Sequence, residues 1–264
     1  MSQVTTNDRV RQVATTLSAA AMLVGTLYGT GVLGERVEES SGGSLSATAT
    51  LLAPAGTAFS IWSVIYVGLV AYVVWQWVPS NAGSARGRSI GWLAALSMIL
   101  NGGWLLVTQA DWLWGSVVVI LALAVTLGLI MVRLTTLRPE RGTIERIVVD
   151  GTFGLYLGWV TVATVANIAA TLADSGVEPE QGTAEVLAVV VLAATAGIAV
   201  FLAQRLGGRI GVALAATWGL AWIAVGRAAT EPESTVTAVA AAVAALVVVI
   251  ATVLSRGRAD RRAA

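Results

Sequence analysis

The sequence predicts an all-α protein, a polytopic membrane helix bundle with eight spanning helices, and three observations carry that expectation. Of its 264 residues 56% are hydrophobic and 12% charged, where a soluble domain of this length carries about a quarter charged residues. The charges cut the chain into eight long apolar windows. The 16 basic residues, all arginine, fall on one side of an eight-helix path except Arg36 and Arg227.

The first window, Gln12 to Gly34, follows Arg9 and Arg11. Its apolar run exceeds the roughly 7 to 15 residues of a signal-peptide core and no A-x-A-like site closes it, so it is read as helix 1. The second window, Ser40 to Ala85, opens on the polar stretch SSGGSLSATAT and contains Pro54, which places its helix at about Ala58 to Val78. Ser89 to Ala110, Trp112 to Val132, Gly151 to Ala173, Val186 to Gln204, Ile210 to Gly226 and Ser234 to Ser255 follow as helices 3 to 8. Their lengths suit the roughly 17 to 25 residues that a bilayer core of about 30 Å requires at a rise of about 1.5 Å per residue. None shows the two-residue alternation of a barrel strand, and a spanning backbone must satisfy its own hydrogen bonds, which selects helices.

Charge placement orients these helices. The side opposite the arginines carries Glu35, Glu38, Glu39, Asp111, Asp174, Glu178, Glu180, Glu231 and Glu233. The positive-inside rule counts Arg and Lys, so both termini are expected in the cytoplasm, with the protein in a bacterial cytoplasmic membrane. An odd helix count would break this separation in half the chain. Arg227, on the acidic side, is expected to snorkel or to pair with Glu231.

Absent residue types exclude several chemistries. The chain has no Lys, His or Cys. A retinal Schiff base needs a Lys, and thiolate or imidazole ligation of zinc, copper, haem iron or iron–sulfur clusters is impossible, so no cofactor is expected. No helix centre carries an acid or base, against the usual design of proton pumps and ion-coupled transporters. Nothing points to nucleic acid. The lipid bilayer is the one partner that composition dictates.

Three stretches stand out from the Ala/Val background. In helix 2, Phe59, Trp62 and Tyr66 stand at i, i+3 and i+7 and share one face. In helix 3, Asn101 and Trp104 share a face beside Gly102 and Gly103, which leave room for a close neighbour or a flat ligand. In helix 5, Tyr156, Trp159, Ala163 and Asn167 form a single stripe. Chain direction puts Trp62, Tyr66, Asn101, Trp104, Ala163 and Asn167 in the half of the membrane nearer the acidic loops, with Trp218 and Trp222 of helix 7 at middle to similar depth. Interfacial belts account for Trp75, Trp77, Trp92, Trp112 and Trp114, and interhelical hydrogen bonding is an alternative role for Asn101 and Asn167. Spacing alone leaves the aromatic stripe open between packing and pocket. The Gly25/Gly29 and Gly154/Gly158 spacings read as close helix contacts.

These stretches, in this order, resemble the translocator protein/tryptophan-rich sensory protein family (TspO/MBR). That family carries W-x-x-x-Y on helix 2, N-x-x-W on helix 3 and Y-L-x-W-x-x-x-A-x-x-x-N on helix 5, matched here by Trp62 and Tyr66, by Asn101 and Trp104, and by Tyr156, Leu157, Trp159, Ala163 and Asn167. The resemblance covers about residues 13–173. It implies a TspO-like five-helix core with a pocket under the loop between helices 1 and 2, a porphyrin or similar tetrapyrrole as ligand, and Trp62, Tyr66, Asn101, Trp104, Trp159, Ala163 and Asn167 lining or bracing that pocket. The loop keeps Pro54 but lacks the family's Trp-Pro-rich stretch, and IAATLAD after Asn167 lacks the Tyr and Arg of the animal sterol motif. Sterol binding is therefore not implied.

The resulting division is a cytoplasmic N-terminal segment (1–12), the five-helix core (13–173), three additional transmembrane helices (174–255) and a basic tail (256–264). The three extra helices are expected to serve packing or homo-oligomerisation. Binding or sensing of a porphyrin or other flat apolar molecule is the leading functional expectation. Carriage of a small hydrophobic molecule and light-dependent porphyrin breakdown are the alternatives, and no catalytic residue set is assigned. A metal-free porphyrin suits a pocket without axial ligands.

Overall fold

The computed structural model describes residues 3–137, 139 and 141–263; Arg138, one of the flanking arginines, and the side chain of Arg262 lie outside the described residues. Among the described residues, eight helices are long and apolar enough to cross a membrane. They are α1 (Thr6–Gly29), α2 (Ile61–Trp77, entered through a 3-10 turn at Gly56–Ser60), α3 (Ala85–Gln109), α4 (Leu113–Thr136), α5 (Gly142–Asp174), α6 (Gln181–Arg205), α7 (Ile210–Ala229) and α8 (Thr235–Ala263). The chain is an integral multi-pass membrane protein.

Four helices start earlier than the charge cuts at Gln12, Ser89, Gly151 and Val186 suggest; in α1, α3 and α5 the early turns contain charges that are paired, and in α6 Glu185 accepts from Ser234 at 2.8 Å. A reciprocal capping box between Thr5 and Asp8 starts α1, and Asp8 also holds Arg11 at 3.3 Å and Arg88 at 2.8 Å. The α3 N-cap is Ser84, whose hydroxyl accepts from the Gly87 amide at 3.1 Å. In α5 the chain passes through a π-helical turn at Arg146–Gly151. Residues five apart stand about 140° apart around an α-helix, and the wider π turn, closed by i→i+5 bonds, brings them nearer to one face. That brings Glu145 and Asp150 onto one guanidinium, with Arg86 Nη1 3.0 Å from Glu145 and Nη2 2.7 Å from Asp150. Arg209, just before α7, pairs with the same Asp150. Beyond the expected basic tail boundary, α8 continues as helix.

Neighbouring helices form a ring and an appendage. α1 packs chiefly on α3, α3 on α4 and α4 on α5, and α2 closes the ring by touching both α1 and α5. α7 then packs on the outside of α5, α8 on α7, and α6 on α8. Small residues permit two of these approaches. A Cβ at Gly25 would lie 3.0 Å from the Cα of Gly102, and one at Gly158 would collide with the carbonyl of Val212. The two apolar cores follow this division. One joins Met22, Ile65, Met98, Leu127 and Phe153 inside the ring, and the other joins Val162, Leu192, Leu220 and Ala241 between α5 and α8. Leu52, from the loop between α1 and α2, is buried in the second.

Candidate functional site

Inside the five-helix ring, at its acidic end, lies a cavity with about 680 Å³ of unfilled space, its open mouth included. Phe59 and Trp62 from the start of α2, Asn101 and Trp104 of α3, Ile120 and Leu123 of α4, and Trp159, Ala163 and Asn167 of α5 form its walls. The long α1–α2 loop roofs it with Val37, Leu45, Ala49, Ala53 and Pro54. Serines 44 and 46 and the two asparagines are the polar lining, and no charged side chain lines it among the described residues.

The aromatic wall is built from edge-to-face contacts. Trp62 stacks on Tyr66 with centroids 5.4 Å apart, and presents itself at steep angles to Tyr156 (5.8 Å) and Trp159 (6.2 Å). Phe59 meets Trp159 at 5.7 Å. One turn apart on α2, Trp62 and Tyr66 arrive together because both lie on the face turned into the ring.

Two asparagines lock this wall through the helices. The Tyr66 hydroxyl donates to Asn101 Oδ1 at 3.1 Å, tying α2 to α3. Trp104 Nε1 donates to Asn167 Oδ1 at 2.7 Å, Asn167 Nδ2 donates to Ser116 Oγ at 2.8 Å, and Ser116 donates to the Leu113 carbonyl at 2.7 Å. This relay joins α3, α5 and α4 and fixes which way the Asn167 amide points. Tyr156 donates to the Ser97 carbonyl at 3.2 Å. Trp159 differs from all of these. It is 1% exposed, lines the cavity, and its indole N–H is buried with no acceptor. Such an orphan costs roughly 1 to 3 kcal/mol.

Of the seven expected site residues, Trp62, Asn101, Trp104, Trp159, Ala163 and Asn167 line the cavity. Tyr66 does not; it stands behind Trp62 and braces Asn101. Of the two roles open to the glycine pair, Gly102 takes that of admitting a close neighbour. Gly102 is filled by α1, since a Cβ there would lie 3.1 Å from the Cα of Met22, and Gly103 is not part of the lining. Ser116, Ile120 and Leu123 of α4 were invisible as site residues, being ordinary constituents of an apolar helix.

The loop is held on two sides. Toward α3 and α5, Gln109 and Glu35 bond reciprocally at 2.8 and 3.1 Å, Ser41 Oγ donates to the Thr108 carbonyl at 3.2 Å, and Ser44 Oγ donates to Asp174 Oδ1 at 2.6 Å. Toward α7, the Ala55 amide donates to the Trp222 carbonyl at 3.1 Å and Trp218 Nε1 to the Ala58 carbonyl at 2.9 Å. Arg227 overturns its expected role. It neither snorkels nor pairs with Glu231: it is fully buried, and its guanidinium donates to the carbonyls of Ala47 (2.7 Å), Thr50 (3.1 Å) and Pro232 (3.0 Å). The loop's carbonyls, which no sequence pattern marks, drew it inward.

Comparison with known families gives a match to the TSPO-like protein family over residues 12–254, which runs past residue 173 and takes in α6, α7 and most of α8. No curated protein and no solved structure matches the chain.

Proposed function

Starting from the chain's membership of the TSPO-like protein family, we propose that it binds a flat, largely apolar ligand bearing a hydrogen-bond acceptor, a metal-free porphyrin being the expected example, in the cavity under the α1–α2 loop. The observation that carries this reading is Trp159, a cavity-wall indole whose N–H is buried without an acceptor. A protein that bonds Tyr66, Trp104 and Tyr156 yet leaves Trp159 unpaired has kept one donor for something not its own. Further support comes from the lining, whose walls combine aromatic faces with few polar groups. The absence of His, Cys and Lys favours a macrocycle without a metal that needs an axial ligand.

The arginine-rich end is placed in the cytoplasm and the loop outside, because only Arg36 and Arg227 of the 16 basic residues are assigned to the loop side. Binding is preferred to carriage, since buried ion pairs of Arg86 with Glu145 and Asp150 fasten the opposite end of the bundle.

Titration of protoporphyrin IX into the protein in lipid nanodiscs, followed by tryptophan quenching, tests the reading. Saturable quenching at about one ligand per chain is expected. Quenching that rises linearly, as in empty nanodiscs carrying a free indole, overturns it. Repeating the incubation in darkness and under illumination separates binding from light-driven breakdown.

A further inference from the structure

We infer that the three-helix unit α6–α8 acts on the cavity with Arg227 as its positioning residue, which turns one half of the roofing loop into a fixed wall and leaves the other half as the movable flap. This rests on the cavity being the ligand site.

The loop divides near residue 46. Residues 47–58 belong structurally to α7 and its neighbours. Arg227 fastens two of their carbonyls, at Ala47 and Thr50, and joins them to Pro232 beyond the end of α7. Leu52 is buried in the core between α5 and α8, Ala55 bonds backbone to backbone with Trp222, and a Cβ at Gly226 would lie 3.2 Å from the Ala55 amide nitrogen. Residues 35–37 are anchored to the ring, with Glu35 on Gln109 and Val37 buried in its core and bonded through its amide to the Gly29 carbonyl at 3.1 Å. Residues 38–46 are tied to the helices more lightly, by Ser41 on the Thr108 carbonyl and by the water-exposed bond of Ser44 to Asp174, which solvent replaces at little cost.

Arg227 is an unusual fastening. Among the described residues no carboxylate pairs with it, although it is fully buried, and its Nε has no acceptor. A buried cation is retained only where its surroundings stabilise it, and here the stabilisation is the carbonyl dipoles of the loop and of Pro232, with the nearby Glu231 charge adding to them. Lifting residues 47–50 strips the guanidinium of two of its three bonds. The wall half is thereby tied to a charge left with Pro232 alone as its hydrogen-bond partner. Ligand exchange then proceeds through residues 38–46, which carry Ser44, Leu45 and Ser46 of the cavity lining.

The chain lacks cysteine, so introduced thiols report without background. Three variants test the assignment. Arg227→Met keeps the apolar stem and removes the donors; amide exchange across residues 47–55 and maleimide labelling of Ala53→Cys, a buried position, are expected to accelerate about tenfold or more, with α1 to α3 unchanged. Arg227→Lys, a cation without the three-way fork, is expected to fall between. The pair Ala55→Cys/Gly226→Cys, whose Cβ atoms would stand 3.6 Å apart, meets disulfide geometry. Oxidised, it is expected to restore slow exchange to Arg227→Met while leaving protoporphyrin IX association and dissociation at the rates of the reduced protein. The inference is overturned if folded Arg227→Met leaves amide exchange across residues 47–55 unchanged, or if the oxidised pair blocks protoporphyrin exchange, which would make the wall half the moving part. Should Arg227→Met fail to fold alone, the oxidised pair supplies the folded background in which the same comparison is made. Exchange and labelling need no ligand. Loss of protoporphyrin binding with the expected lid behaviour would therefore count against the ligand reading and not against the clamp.

Discussion

Trp159→Phe separates a ligand donor from a packed indole because the two roles predict opposite balances of stability and affinity. In the wild type the indole N–H is buried and unpaired, a penalty of roughly 1 to 3 kcal/mol that phenylalanine does not incur. Against that stands the lost ring volume, on the order of 40 Å³, which at about 24 cal/mol per Å³ costs about 1 kcal/mol. The edge contacts with Phe59 at 5.7 Å and Trp62 at 6.2 Å are weakened but keep an aromatic partner. Unliganded stability is therefore expected to stay level or to rise by up to about 2 kcal/mol. Bound ligand loses one hydrogen bond, about 0.5 to 1.5 kcal/mol, so affinity for protoporphyrin IX is expected to weaken about 2- to 12-fold. Melting temperature in detergent and fluorescence titration in nanodiscs give both quantities on one preparation. A melting temperature that falls by several degrees with unchanged affinity would refute the reasoning, since it would mean the indole is only packing.

Other perturbations have distinct signatures. Ala163→Leu projects a further three-carbon branch into the cavity and is expected to weaken protoporphyrin binding at least tenfold with little loss of stability; if the site were a packed seam, overpacking of about 1 to 3 kcal/mol would appear in the melt first. Asn167→Ala strands the buried Trp104 N–H and removes the Ser116 partner, so a loss of about 1 to 3 kcal/mol is expected in thermal unfolding, in contrast to Trp159→Phe. Impermeant maleimide applied to intact cells is expected to label Thr48→Cys and to spare Ser80→Cys until the membrane is opened; the reverse pattern overturns the orientation. In proteoliposomes, internal porphyrin is expected to rise no faster than in protein-free vesicles, and a protein-dependent influx would restore the carrier reading.

The fold and the pocket wall were largely legible, for a reason that particular residues make plain. A spanning helix has a fixed 100° period and a known direction, so Trp62, Asn101, Trp104 and Trp159 can be set on faces and depths before any tertiary contact is known. The Tyr66–Asn101 and Trp104–Asn167 bonds join residues that this arithmetic put at equal depth. Legibility ended where partners are backbone. Arg227 looked like a rim charge because nothing in Ala47, Thr50 or Pro232 as side chains announces a carbonyl cradle. Gly102 stayed open between a close neighbour and a flat ligand, because a missing Cβ serves either, and Met22 of α1 takes the space. Ser116 carried no signal at all until Asn167 reached it. Early starts of α1, α3 and α5 were hidden because cutting at charges assumes charges are solvated, whereas Asp8, Arg86 and Glu145 are buried and paired.

The two ends of the bundle differ in how hard they are to open. At the arginine-rich end one guanidinium, Arg86, is only 2% exposed and serves two carboxylates, with Arg209 sharing Asp150, so that α3, α5 and the start of α7 are joined through charge. Removing one partner of a buried pair costs about 3 to 5 kcal/mol, and parting these helices demands something of that order. At the acidic end the flap, residues 38–46, is held to the helices by Ser41 on the Thr108 carbonyl and by Ser44 on the exposed Asp174 carboxylate, side-chain bonds near water worth about 0.5 to 1.5 kcal/mol each. A fluctuation large enough to admit a ligand is therefore far more frequent at the loop than at the ionic end. A carrier needs comparable access to both sides in turn; a receptor needs one side that opens and one that does not. The energetic asymmetry, arising from where the sequence puts its few charges, is what makes binding the better account of this cavity than transport.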